Sequence, residues 1–216
     1  QALSKERGAA TECSGGSAAN TLAGFCMLGG KGAFIGKVKD DQFGTTFRKD
    51  IERSGAVFLT PPAQEEDPTA SCMVMVTEEP SKFGEPPKVE RTMATYLGAC
   101  IHINEEDLDT RAIANAKALF FEGYLWDSDS ARQTIRKALH IARLHGVKTS
   151  FTLSDPLLVE RHHDELLRLV DEDIDILFAN EREIEVLLGE TDIRKILYKL
   201  SVSYTHLRAH ETPLHL

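Results

Sequence analysis

The sequence has no surplus of positive charge: 25 Lys and Arg stand against 34 Asp and Glu, a formal net charge of −9 over 216 residues. A nucleic-acid partner needs a basic footprint to neutralise phosphates, so none is expected here. Long apolar runs are lacking too. None approaches the roughly 18–20 residues that cross a bilayer, so no membrane-spanning helix is expected. Cysteine is sparse, with Cys13, Cys26, Cys72 and Cys100 scattered and no Cys-x-x-Cys pair. That excludes a disulfide framework or a zinc site and reads as reduced thiols in a cytoplasmic protein, with Cys72 and Cys100 expected in core strands. No basic-then-apolar segment of secretory type opens the chain. What is present is the balance of an ordinary globular domain, 42% hydrophobic and 27% charged, enough to bury a sizeable core.

Both ends read as interruptions. The chain opens on Gln1 with no complete element before Cys13. From about Ser201 it reads SVSYTHLRAHETPLHL, without apolar period or cap, and is expected to be foreign to the fold. His206 and His210 have the spacing of two ligands on a helix face, but no Cys or acidic partner stands in register.

Between the ends, short Val/Ile/Phe-rich runs alternate with amphipathic stretches. Strands are expected at Ala33–Val38, Ala118–Leu125, Val147–Leu153 and Ile174–Ala179. Phe43, Phe47 and Ile51 mark one helix face, stopped at Gly55. Ser128 or Asp129 can cap a helix running to Gly146, and further helices are expected at Leu157–Val170 and Glu181–Leu188, the last stopped by Gly189. Such alternation implies a mostly parallel sheet covered by helices. One window departs from it. Thr69–Thr77 and Val89–Leu97 are two strand-like runs joined by a connector with three prolines and a glycine, which suggests an antiparallel excursion over a site.

No standard phosphate motif fits. Gly32-Ala-Phe-Ile-Gly36-Lys37-Val38 has three residues between its glycines rather than four, and Val where a P-loop needs Ser or Thr. Gly29, Gly30 and Gly32 close a helix rather than open one, so they are simply a helix stop. Gly15-Gly16-Ser17-Ala18-Ala19-Asn20 differs. Two glycines let the backbone approach a ligand, the following helix aims free N–H groups at the same spot, and the Asn20 amide can both donate to and accept from a hydroxyl. The plainer reading is a helix start with Ser17 as cap and Asn20 on the surface. Asn180 and Glu183 form Asn-x-x-Glu between a strand and a helix: either a capping box or a site carboxylate at the edge where parallel sheets bind ligands. Asp155 and Glu122 are further candidate carboxylates, Asp155 equally simply a helix cap. His162 and His163 are expected on a solvated helix surface.

Together these residues resemble the ribokinase, or PfkB, family of sugar and nucleoside kinases. The likeness runs through GGSAAN at 15–20, IGKVKDDQFG at 35–44, RTMATYLGA at 91–99, FFEGYLWD at 120–127, TLSDP at 152–156 and FANEREIEVLLG at 178–189. It covers roughly residues 10–190 and looks closest to bacterial adenosine kinase-like members. The resemblance implies a three-layer α/β fold with a mostly parallel sheet and a small β lid, truncated. Residues 1–200 would form a partial kinase domain with lid strands near 69–97, and 201–216 a non-native tail.

It further implies that Gly15, Gly16 and Asn20 bind the acceptor's ring hydroxyls and that Leu97 on the lid faces the substrate. Asn180 and Glu183 would belong to the Mg²⁺ and phosphate network, and Asp41 would be a helix cap. The cofactors would be ATP and Mg²⁺, the partner a small sugar or nucleoside, with a homodimer through the lid. The family's GAGD-like loop, whose aspartate takes the acceptor proton, does not occur in the sequence. The chain is therefore expected to be an incomplete kinase, inactive by itself. The alternative is a non-catalytic α/β module binding a small metabolite through the same glycines. An NAD-dependent oxidoreductase is disfavoured by the glycine spacing.

Overall fold

The computed structural model describes residues 11–79 and 88–203. Helix α1 (Ser17–Met27) leads into β1 (Ala33–Phe34), α2 (Gln42–Arg53) and β2 (Val57–Phe58), with β1 and β2 parallel. An antiparallel hairpin follows: β3 (Ser71–Glu79) pairs with β4 (Lys88–Tyr96) in a register that sets Ser71 opposite Tyr96. A short α3 (Thr110–Ala114) then precedes the main α/β unit of β5 (Ala118–Glu122), α4 (Asp129–His145), β6 (Lys148–Thr152), α5 (Pro156–Arg161), α6 (His163–Asp173), β7 (Ile176–Phe178), α7 (Glu181–Leu188) and α8 (Ile193–Ser203). Strands β5, β6 and β7 are parallel neighbours in that order. Among the described residues no helix is long and apolar enough to cross a membrane.

The largest core sits around this unit. Phe151, Leu153, Val159 and Leu166 are fully buried, and Trp126 is sealed among them, its indole N–H donating to Glu165 at 3.1 Å. A buried Trp needs that partner, because an unpaired N–H would offset part of what its ring contributes. Each such apolar side chain contributes on the order of 1.5–3 kcal/mol. Helix α4 also buries Ala138 and Ala142 against Ile113 and Val147 in a separate cluster. A third cluster joins α1 and α2 to β2 through Ala19, Cys26, Ile51 and Phe58.

Several elements stop where their side chains find other work. The expected strand Ala33–Val38 pairs only at Ala33–Phe34, with an isolated bridge from Lys39 to Ala63, and the Gly36 N–H turns to the Thr60 hydroxyl instead. The run Ala118–Leu125 ends as a strand at Glu122 and tightens into a 3₁₀ turn over Gly123–Asp127, the Gly123 N–H donating to Ser154. The helix expected over Leu157–Val170 breaks at His162, whose ring nitrogen lies 2.8 Å from Asp127 and whose side chain is largely covered. The His163 Nε2 lies 3.0 Å from the Leu187 carbonyl oxygen, so neither histidine is merely solvated. Helix α8 continues to Ser203, past the expected junction at Ser201, with Ile196 buried. The rest of the supposed tail, including Tyr204 and Leu207, lies outside the described residues.

The hairpin confirms the excursion expected between Thr69 and Leu97. It stands off the core, with Met73, Val74, Val76, Val89 and Met93 all exposed. Cys72 is therefore exposed rather than a core residue, and Cys100 is half-buried in a 3₁₀ turn (Gly98–His102) rather than in a strand. A strand-like pattern does not bury its apolar face unless a second layer covers it.

The root of the hairpin is fastened to α2. Asp41 caps that helix, accepting from the Gly44 N–H at 2.8 Å, and also accepts from the buried Thr69 through its N–H at 2.9 Å and its hydroxyl at 2.7 Å. On the far side, Asp67 accepts from the Tyr96 hydroxyl at 2.8 Å and lies 2.7 Å from His102. Gly98 turns the chain there with φ +51, its α-carbon so near the Pro68 carbonyl that a Cβ would lie 2.1 Å from that oxygen. Lys37 is buried beneath, donating to Asp107 at 3.1 Å and to the His102 carbonyl at 3.2 Å.

Burial alone would raise the Asp41 pKa, but the hydrogen bonds from Thr69 and Gly44 outweigh it and hold the carboxyl below its usual range. Its contribution is thus present above the ordinary carboxylate range and lost as pH falls through the lowered value. Asp41→Ala should cost about 1–2 kcal/mol in denaturant unfolding at neutral pH, the range of a lost helix cap. The difference from wild type should shrink in acid. An equal cost at both pH values would remove Asp41 from this role.

Candidate functional site

The site begins at a glycine pair. Helix α1 opens at Gly16, whose φ of +106 is open to glycine and strained for any other residue, and which has no side chain to cap the helix. Gly16, not Ser17, is the capping position, and Ser17 is the first helical residue. A Cβ built on Gly15 would meet nothing within 4 Å, and one on Gly16 only Ala19 at 3.9 Å. The space over both glycines is open.

The capping group comes from the far end of another element. Glu122, the last residue of β5, accepts through Oε2 from the Ala18 N–H at 3.0 Å and from the Ser17 hydroxyl. One carboxylate thereby ties the glycine turn to the carboxyl edge of the parallel sheet. The helix end is not wholly free for a ligand, as the sequence suggested. Asn20 lies one turn on, exposed, its backbone N–H bonded to the Gly16 carbonyl at 2.9 Å and its amide unbonded among the described residues. Leu97 is half-exposed at the foot of the hairpin, one residue past β4.

The same edge carries the other candidates. Asp155 caps α5, accepting from Leu157 N–H at 2.8 Å and Leu158 N–H at 3.1 Å, which realises its capping alternative. Just before it, Ser154 has φ +73, accepts from Gly123 N–H and donates to the Thr152 carbonyl, while Tyr124 donates to the Ser154 carbonyl at 3.2 Å. Asn180 and Glu183 form a full capping box. Glu183 N–H donates to Asn180 at 2.8 Å, Asn180 N–H to Glu183 Oε2 at 3.0 Å, and the Asn180 amide to Oε1 at 2.7 Å. Capping and edge placement coexist in this pair, so the two sequence readings are not exclusive.

Electrostatics shows which groups share a neighbourhood. Burial pushes the Tyr124 hydroxyl pKa up, and Asp155, Glu122 and Glu183 push it further. Burial likewise raises the Cys100 thiol, with Glu122 adding to it. Glu183 is raised by burial, against the pull of the Asn180 N–H and with a further push from Asp155. Tyr124 and Ser154 escaped the sequence reading. The only available signal was their place beside Glu122 and Asp155 in FFEGYLWD and TLSDP. No three His, Cys, Asp or Glu side chains converge on a metal position among the described residues. Both Glu183 oxygens already accept from Asn180, which fits a hydrogen bond to metal-bound water through the remaining lone pairs rather than direct ligation.

A glycine turn and an Asn-x-x-Glu box on one edge of a parallel sheet, beside a β hairpin, match the ribokinase-like arrangement, and comparison agrees on the family. Residues 3–205 match the pfkB family of carbohydrate kinases, and the chain belongs to that family. An adenosine kinase from Sinorhizobium meliloti is 42% identical, with TM-score 0.82 over 94% of this chain and 59% of that one. A probable sugar kinase from Rhizobium etli CFN 42 is 39% identical, with the same TM-score and coverage. The 5-dehydro-2-deoxygluconokinase of Bacillus subtilis (strain 168) is 28% identical over 82% of this chain and 54% of its own length. The chain thus spans about half the length of the curated relatives it matches. The fold is the expected three-layer α/β arrangement with a small β lid.

Because Glu183 has a raised pKa, its contribution to stability is fully present below the unfolded value and lost as pH rises through the folded one. Unfolding measured between about pH 4 and pH 8 should therefore show wild type losing ground to Glu183→Gln as pH rises through that value. A pH-independent difference would contradict the burial argument.

Proposed function

We propose that the complete gene product transfers the γ-phosphoryl group of ATP to a hydroxyl of a sugar or nucleoside, in the manner of an adenosine kinase or a ribokinase- or fructokinase-like enzyme. The observation that carries this is the open glycine turn at Gly15–Gly16, with the unbonded Asn20 amide beside it, fixed by Glu122 to the edge that holds Asn180 and Glu183. The similarity to an adenosine kinase at 42% identity supports the same reading.

In this proposal Gly15 and Gly16 let the acceptor ring approach the backbone, and Asn20 donates to one hydroxyl while accepting from another. Leu97 and the hairpin cover the acceptor and exclude water, which strengthens each polar contact beneath. Bound Mg²⁺ would neutralise charge on the ATP phosphates. Glu183, oriented by Asn180, would hold a metal-bound water through its free lone pairs. Asp155 and Asp41 are caps, and neither is assigned a proton. The base that takes the acceptor proton is not among the residues described, and no GAGD-like loop occurs in the 216 residues. The exposed apolar hairpin supports a homodimer through the lid, and sedimentation of the complete protein would read it.

Two measurements follow. Asn20→Ala in the complete protein should weaken acceptor binding by roughly 0.5–1.5 kcal/mol, the worth of one hydrogen bond, and leave ATP affinity nearly unchanged. Unchanged acceptor affinity would return Asn20 to a plain surface position. The 216-residue chain itself should release no acceptor-dependent ADP with adenosine, ribose or fructose in a coupled assay. Release abolished by Glu183→Gln would place the catalytic carboxylate there instead.

A further inference from the structure

The exits of β5 and β6 are joined through a strained residue. Ser154 is the one residue other than glycine with a positive φ among the described residues, at +73. The Asp155 N–H donates back to the Leu153 carbonyl at 3.0 Å and closes a three-residue turn around Ser154. That bond with that φ is the uncommon, strained form of γ-turn. Such strain persists only where neighbours over-determine it. Here they do. Leu153 is fully buried, and its N–H donates to the Phe178 carbonyl at 3.1 Å. Gly123 packs so closely on the turn that a Cβ there would lie 2.3 Å from the Leu153 carbonyl oxygen. Ser154 Oγ accepts from the Gly123 N–H at 2.9 Å and donates to the Thr152 carbonyl at 3.2 Å, and the Tyr124 hydroxyl donates to the Ser154 carbonyl at 3.2 Å. A glycine at 154 would take this φ without strain but would bring no hydroxyl. The strained serine supplies one.

That hydroxyl reaches further than its own turn. The Gly123 N–H belongs to the same peptide as the Glu122 carbonyl, and Glu122 is the residue that accepts from the Ala18 N–H and the Ser17 hydroxyl. Holding that peptide fixes where β5 ends and from where the Glu122 side chain reaches α1. We infer that Ser154 is a positioning residue for the acceptor: through Gly123 and Glu122 it sets the place of the Gly15–Gly16 turn and of Asn20, without touching the acceptor itself. The inference rests on the acceptor reading above and names what keeps the floor of that site in register. A backbone-built site is only as well placed as the elements behind it, so a small loss of register there weakens binding without unfolding anything. A turn that merely stabilised the exit of β6 would act differently. Acceptor affinity would then follow stability from one variant to the next.

Three substitutions in the complete gene product separate the two roles, with affinity for adenosine and ribose read by calorimetry and stability by the denaturant midpoint. Ser154→Ala removes the hydroxyl and keeps the strain. Ser154→Gly removes both. Ser154→Thr keeps the hydroxyl and adds strain, because a β-branched residue fits poorly at positive φ. The Gly variant should unfold at a higher midpoint than the Ala variant, yet both should bind the acceptor roughly fivefold more weakly than wild type, the size of one lost hydrogen bond. The Thr variant should bind within about twofold of wild type in spite of a lower midpoint. ATP affinity should be the same in all four proteins. With wild type binding an acceptor, the inference is overturned if affinity follows the midpoint, the Gly variant recovering or the Thr variant falling to the level of the Ala variant, or if all three variants bind like wild type. Those results leave the acceptor reading standing. Wild type that binds neither adenosine nor ribose overturns the acceptor reading itself and takes this inference with it.

Discussion

Helix α1 begins at a residue that cannot cap it. Gly16 is needed for its φ of +106 and for the open space above it, and the cost is a helix start without a side-chain acceptor. Glu122 supplies the acceptor from the end of β5, 104 residues away from Ala18. That one carboxylate ties the glycine turn, with Asn20 one turn later, to the sheet edge whose strand ends lead to Asp155 and Asn180. A helix cap is worth about 0.5–2 kcal/mol in stability. Its larger effect here is positional, since a ligand site built from backbone is only as well placed as the turn that presents it.

A second fastening works on the hairpin. Asp41 opens α2 as its cap and holds Thr69 with both carboxylate oxygens, while Asp67 holds Tyr96 and lies against His102 on the other strand's exit. The hairpin is thus rigid at its root and bare along its length, with apolar side chains facing outward on both strands. It contrasts with the β5–β7 unit, where Phe151, Leu158 and Leu166 are sealed and little can move without opening a cavity.

The helices were legible in the sequence wherever a cap and a stop bracketed an apolar period. Ser128 to Gly146 and Asn180 to Gly189 are found as read, and Asp41 caps α2. Strand lengths were less legible. Apolar runs at Ala33–Val38 and Ala118–Leu125 continue past the point where ladder pairing ends, because Thr60 and Ser154 draw backbone N–H groups away. The break at His162 depends on Asp127, which is distant in sequence and therefore invisible to periodicity. Cys72 is exposed for a similar reason, since alternation marks a face without saying whether anything covers it. Among the candidate site residues, the glycines, Asn20 and the Asn180–Glu183 box stand out by type and spacing. These leave helix start and capping box open, and only the family resemblance assigns them to a site. The Glu122–Ala18 bond does not stand out, because no local pattern records which strand end meets which helix start.

The account stands or falls on where an acceptor sits. A crystal structure of the complete protein with a neutral nucleoside or sugar bound tests it most directly. It should show ring hydroxyls within about 2.6–3.2 Å of the Asn20 amide and over Gly15–Gly16, with the Glu122 to Ala18 bond intact. An acceptor bound away from that turn, or a Glu122 swung off α1 to make room for it, would contradict the account.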